Sequence, residues 1–203
     1  MLIQINQEAA IEIAGSSEVL VSQLNETMSK LYASNEIVQE VVIDGYSFRE
    51  DYESYLIEHI DRVASVQFLT VNGDLWIADL MMELHSYLPR VIKATDSISD
   101  CFYGVPSQED WQSFSLLMEG VTWVYQSVLT IQTHIHRSST DALSVVLSAN
   151  LAGFVKELEQ ILPQVEEGIQ QEEHTNVGDL VKYELGPAME RLLKAIETSR
   201  GIV

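Results

Sequence analysis

Five histidines, one cysteine and thirty-one acidic side chains are the groups with which this 203-residue chain could do chemistry. A carboxylate-bridged di-metal site in a helical protein needs Glu three residues before His, because that spacing aims both ligands at one point. The residues three before the histidines are Leu56, Met82, Ile131, Thr133 and Gln171, so the pair does not occur. His134 and His136 stand two apart, which on a helix separates the rings by about 200°. Cys101 has no second cysteine for a disulfide or a thiolate zinc cage, and beside Phe102 it reads as a small core residue. Neither a Gly-x-Gly-x-x-Gly turn, a Walker loop nor a Gly-x-Ser-x-Gly elbow is present. The expectation is therefore no catalytic group, no cofactor and no metal, and a protein that leans away from being an enzyme. One carboxylate stands apart: Glu184 lies within a turn of Val181 and Leu185 and is expected to be partly buried. Burial would raise its pKa toward acid–base use, but no second group accompanies it.

The segment His134-Ile135-His136-Arg137-Ser138 resembles the His-x-x-Lys-Gly neighbourhood of histidine phosphotransfer domains, which are acidic helical bundles. The resemblance implies His134 as phosphoryl carrier, with Arg137 where the family has Lys; Ser138 departs from its glycine. Read from the residues alone, the same segment is a polar helix end with cations favourably placed near its C-terminus.

Charge narrows the partners. Eleven Lys and Arg against thirty-one Asp and Glu leave a formal charge of −20 and a pI near 4.4. Phosphate backbones and anionic lipid surfaces are held mainly by Lys and Arg, so nucleic acid and membrane are both disfavoured. A hydrophobic content of 46% separates the chain from acidic disordered sequences and implies a packed core. The opening Met1-Leu2-Ile3-Gln4 has no basic stretch before an apolar run. With a single cysteine, that points to a cytoplasmic location.

These groups must be positioned by elements of two kinds. Residues 1–72 mix periods of two and of three to four, and form a small α+β domain. Residues 73–203 are helical almost throughout. Leu2, Ile3 and Ile5 open a strand, and Ala10, Ile11 and Ile13 suggest a second. Val19, Leu20, Leu24, Met28 and Leu31 make one helical stripe, capped by Ser16 or Ser17. Ile37 to Ile43 is β-branched and runs into Asp44-Gly45, a two-residue hairpin signal. Tyr46 to Arg49 returns, Tyr52 to Asp61 is a short helix, and Val66 to Val71 a last strand. This ββαββαβ order resembles the ubiquitin-like β-grasp, in which a mixed sheet wraps one helix; a ferredoxin-like split sheet is the rival. At the boundary, Gly73 is expected to turn the chain and Asp74 to cap the next helix.

Four amphipathic segments follow, and they predict an antiparallel four-helix bundle. The first places Ile77, Met81, Leu84, Leu88, Val91, Thr95, Ile98 and Phe102 on a seam of period 3.5. Pro106 separates it from the second, near residues 108–137, and a loop at 138–141 precedes the third and fourth. Pro89, Pro163 and Pro187 fall inside helices and are expected to bend them; the first reading is bent helices that the packing tolerates, and the alternative is a ligand cavity opened between them.

The second segment carries more apolar surface than one seam can use. From Phe114 to Ile131 its only charge is Glu119, and Trp123, Val124 and Tyr125 together sweep about 200° of the helix. Leu116, Gly120, Trp123 and Ser127 form a line beside the Leu117–Val121–Val124–Val128 seam. Two small residues flank the large Trp123, as suits a helix-to-helix contact. This line is expected to meet either the N-terminal domain or another protein, with a homodimer through residues 114–131 as the concrete form. The function expected is a non-catalytic protein–protein interaction or regulatory role. A phosphotransfer bundle and a small-molecule-binding bundle are the alternatives.

An excess of carboxylates predicts a salt response. The melting temperature should rise from low salt to physiological ionic strength, where the Debye length is about 8 Å and mutual repulsion is screened. Glu157, Glu159, Glu166, Glu167, Glu172 and Glu173 are the expected source, because negative charge toward a helix C-terminus opposes its dipole. A flat or falling melting temperature would mean that the acids are locally paired.

Overall fold

The computed structural model describes residues 1–138 and 142–199, and side chains outside positions 136–144. The loop expected at 138–141 thus lies almost wholly outside the described residues. The protein is α+β, with a five-stranded mixed sheet followed by long helices. It divides into two compact units, Met1–Trp76 and Ile77–Val203.

The first unit runs β1 (Leu2–Ile5), β2 (Ile11–Glu12), α1 (Ser17–Ala33), β3 (Glu36–Ile43), β4 (Tyr46–Phe48), α2 (Tyr52–His59) and β5 (Ser65–Asn72). The sheet order is β2-β1-β5-β3-β4, with β1 and β5 parallel and the other neighbours antiparallel. Leu20, Leu24 and Leu31 of α1 are buried with Ile3, Val41, Ile43, Val66 and Phe68 of the strands and Leu56 of α2. The β3–β4 turn needs two residues at positive φ, and Asp44 (48°) and Gly45 (86°) supply them. The Asp44 carboxylate also accepts from the Ser65 and Ala64 backbone N–H groups at 2.7 and 3.0 Å, which fastens the turn to the start of β5.

Two expected caps differ. Ser16 occupies the N-cap of α1 without a side-chain cap bond, while the Ser17 hydroxyl bonds Asp61 instead. At the boundary, Asn72 caps the following helix: its Oδ1 accepts from the Asp74 and Leu75 N–H groups at 3.1 and 3.2 Å. Asp74 therefore sits in the first turn, where its charge suits the dipole. Gly73 makes no turn; it is helical and donates to the Asn35 carbonyl at 2.7 Å.

The second unit comprises most of α3 (Gly73–Cys101), then α4 (Gln108–Ser138), α5 (Ala142–Gln170), α6 (His174–Asp179), a π-helical stretch Leu180–Leu185, and α7 (Gly186–Ser199). The α4 seam Leu117–Val121–Val124–Val128–Ile131–Ile135 is buried throughout, as is Val177–Val181–Leu185–Ala188–Leu192–Ile196. On α3, Met81 and Ile98 are only half-buried while Ser99 is fully buried. A straight α-helix drifts from a 3.5 repeat, so the seam slips by one position toward its end.

Close approaches show how the helices run. Along α3, Thr95 faces Gly186, and Ser99 and Phe102 face Gly178. Lys182 reaches Asp100 at 2.8 Å, and His85 lies 3.5 Å from Glu197. Partners advance on one helix as they retreat on the other, so α3 and the C-terminal helical segment are antiparallel. Arg191 pairs with Glu157, and Gly168 makes room for Val177, which sets α5 and that segment antiparallel too. The π stretch has a local cause. Pro187 has no N–H, and the Gly186 N–H bonds the Val181 carbonyl five residues back, so the helix passes the proline in a wider turn.

Replacing Asn72 tests the cap. Asn72→Ala should lower stability by about 1 kcal/mol in denaturant unfolding, while Asn72→Asp, which keeps the acceptor, should stay within a few tenths. A neutral Asn72→Ala would return the capping role to Asp74.

Candidate functional site

The consecutive Trp123, Val124 and Tyr125 are distributed over three environments. Val124 is fully buried in the seam. The Tyr125 hydroxyl donates to Glu159 of α5 at 3.3 Å, and its phenol is pushed up chiefly by burial and then by the Glu159 charge. Trp123 turns the other way and meets Tyr87 of α3 edge to face, with ring centroids 5.0 Å apart. Both neighbouring helices of the same unit thus take a share of the surplus apolar surface, an arrangement absent from the sequence reading.

The line Leu116–Gly120–Trp123–Ser127 divides in the same way. Ser127 is 5% exposed. Gly120 is buried, and the Tyr87 hydroxyl stands where a Cβ at this position would be. The gap left by Gly120 is filled from within, by α3. Leu116 and Trp123 stay accessible, at 66% and 38%. Beside them α3 contributes Tyr87, Arg90, Ala94 and Ile98 at helical spacing, and Ser113 of α4 closes a shallow cavity of about 270 Å³. The Arg90 guanidinium sits 4.9 Å from the Tyr87 ring centroid, so a cation in a strongly acidic protein is spent on an aromatic face. The arrangement offers shape and apolar area with one positive group, not a nucleophile beside a base.

The remaining candidates are placed as follows. His134 is half-buried near the C-terminal end of α4, and the Arg137 side chain lies outside the described residues. Glu184 is exposed, not partly buried: Val181 and Leu185 take the inner positions of the π stretch, and Tyr183 and Glu184 point to solvent. Cys101 is half-exposed instead of core; its thiol donates to the Ser97 carbonyl at 3.7 Å, and the neighbouring Asp110 carboxylate pushes its pKa up, away from nucleophilic thiolate. Tyr103 donates to Asp179 at 2.8 Å, which holds its phenol protonated. Among the described residues, no group of three or more His, Cys, Asp or Glu is arranged to hold a metal ion, and no helix is long and apolar enough to cross a membrane.

The sequence profile of DUF8042, a domain of unknown function, matches residues 79–195, more than half of the chain. The chain belongs to this family. The matched span begins in α3, ends in α7 and contains every residue of the α3–α4 face; the sheet-bearing first unit lies outside it. No curated protein and no solved structure matches the chain. The DUF8042 region therefore has to be read from its own surface.

The fit of Tyr87 to Gly120 gives a test with a sign reversal. Gly120→Ala brings a helix-propensity gain of about 1 kcal/mol, opposed by crowding against the hydroxyl that costs about 1–3 kcal/mol. The single variant should be neutral to destabilised. In a Tyr87→Phe background the nearest ring carbon is 3.4 Å away. There the same change should stabilise by about 1 kcal/mol. Equal effects in both backgrounds, read by thermal unfolding, would show that Tyr87 does not occupy this space.

Proposed function

We propose that this chain is a non-catalytic cytoplasmic interaction protein: a ubiquitin-like β-grasp module followed by an antiparallel four-helix bundle that binds another protein through the α3–α4 face. The β-grasp reading is supported by the strand order β2-β1-β5-β3-β4 with α1 sharing its core. The bundle reading is supported by the antiparallel approaches of the C-terminal segment to α3 and α5. The observation that carries the interaction reading is the pair Leu116 and Trp123. Two large apolar side chains seven residues apart lie exposed on one helix face, beside an open cavity rimmed by Tyr87 and Arg90. Trp123 and Arg90 both pack on Tyr87, and tryptophan, tyrosine and arginine are the residues enriched at interface hot spots.

A second copy of the chain is the partner this reading names. Protein is favoured over nucleic acid or membrane because each chain carries −20. The same charge opposes self-association, so added salt should strengthen it. A dimer through this face would bring two copies of Leu116 and Trp123 together, with each Arg90 able to offset the partner's acids.

Trp123→Ala provides the test, with light scattering and melting at several concentrations. Wild type is expected to show dimer mass that increases with salt. The variant should fall to monomer mass while remaining helical, since truncating such a residue typically costs about 2 kcal/mol or more of binding. A wild type that is monomeric at high micromolar concentration would end the self-association reading.

A further inference from the structure

A groove in the first unit has a different chemical character. It lies between α1 and α2, with Phe68 of β5 on its floor, and encloses about 390 Å³. Small-ligand sites fall in the range of roughly 300–1,000 Å³ and are mostly apolar with a few polar groups. This groove matches that description. Its walls are Val21, Leu24 and Met28 of α1, Leu56 and Ile57 of α2, and Ile60 just past the end of α2. Tyr32 and Ile57 remain 57% and 66% exposed, so apolar surface is left open along the groove.

The charge on the rim is one-sided. Its polar lining is Asn25, Ser29, Tyr32, Tyr52 and Glu53, so Glu53 is the only charged residue among them and none is Lys, Arg or His; the Ser29 hydroxyl is already engaged with the Asn25 carbonyl at 2.8 Å. Among the described residues, no hydrogen bond or ion pair engages these two phenols or this carboxylate. Lys30, the only basic residue of α1, is held by Glu26 at 2.8 Å. Burial pushes the pKa of the Tyr52 phenol up, and its neighbours Tyr32 and Glu53 push it further. Residues 1–72 carry 3 basic and 12 acidic groups, so the surrounding field is negative as well.

We infer that this groove binds an amphipathic organic cation, its apolar body seated between α1 and α2 and its ammonium-type head at Tyr32, Tyr52 and Glu53. Phenol rings attract a cation through their faces, and a carboxylate adds direct Coulomb attraction. A neutral ligand gains only the apolar contact. An anionic ligand meets a repelling rim and no donor cation.

Three probes with one apolar body and different heads separate these cases: phenylbutylamine, phenylbutanol and phenylbutanoate, titrated into the isotope-labelled full chain and followed by backbone amide shifts. The amine is expected to give saturable shifts confined to α1 and α2. The alcohol should bind the same amides about fivefold more weakly, and the acid should leave them unmoved. Glu53→Gln, a surface change that leaves the walls intact, should weaken the amine about fivefold and leave the alcohol unchanged. Ile57→Lys, at an exposed position, should abolish amine binding. Equal affinity for amine and alcohol would overturn the inference, as would amine shifts that spread over the acidic surface without saturating, or no shift at millimolar probe. Shifts of the same amides on concentrating the protein alone would show a second copy as occupant and overturn it too.

Discussion

Tyr87 occupies the volume that Gly120 leaves open on α4, and much of the character of the α3–α4 pair depends on that fit. A glycine in the middle of a 31-residue helix costs about 1 kcal/mol relative to alanine, so its presence calls for a compensating contact. The ring supplies it. With its hydroxyl over Gly120, Tyr87 presents an edge-to-face partner to Trp123 and a face to Arg90. Nearer the helix ends, Phe102 packs on Trp111 and Phe114 with centroids 5.0 and 5.2 Å apart. Rings thus meet rings at two places along the pair, with the shallow cavity between them. Large side chains fill such a seam from within but leave their outer edges wet, and Trp123 is accessible for that reason.

Charge is organised around the same scarcity of cations. Lys182 is shared by Asp100 and Asp96, Arg191 is taken by Glu157 and Lys30 by Glu26. Each of these pairs is solvent-accessible and screened, so it adds little to stability. Their role is to relieve local repulsion in a chain of −20 charge more than to hold the fold. Arg90 differs because its visible contact is aromatic. Glu53 differs in the opposite sense, facing phenols and apolar walls across an open groove.

Local chemistry was legible in the sequence and non-local chemistry was not. Asp44-Gly45 announces its turn because two adjacent residues at positive φ admit few alternatives. The helical seams were readable because burial repeats with the helix. The boundary cap was misplaced between two Asx residues two positions apart. Asn72 and Asp74 can both cap, and the choice is made by Gly73, whose N–H reaches back to Asn35 across the sheet unit. Pro187 predicts a kink in an α-helix, but its missing donor is absorbed by a π turn, and Glu184 within that turn is exposed. Gly120 was read as an opening for an outside helix. Only the packing of α3, thirty-odd residues earlier in the chain, shows that Tyr87 fills it.

The central claim is that the accessible edge of the α3–α4 pair is a protein-binding surface, with a second copy as its partner. Isotope-filtered NOE measurement on a mixture of labelled and unlabelled chains tests it most directly, since only contacts between copies give signal. The account predicts intermolecular NOEs from the Leu116 methyl groups and the Trp123 indole, strengthened at physiological salt. Intermolecular NOEs confined to other surfaces, or none from chains at concentrations where mass shows association, would contradict it.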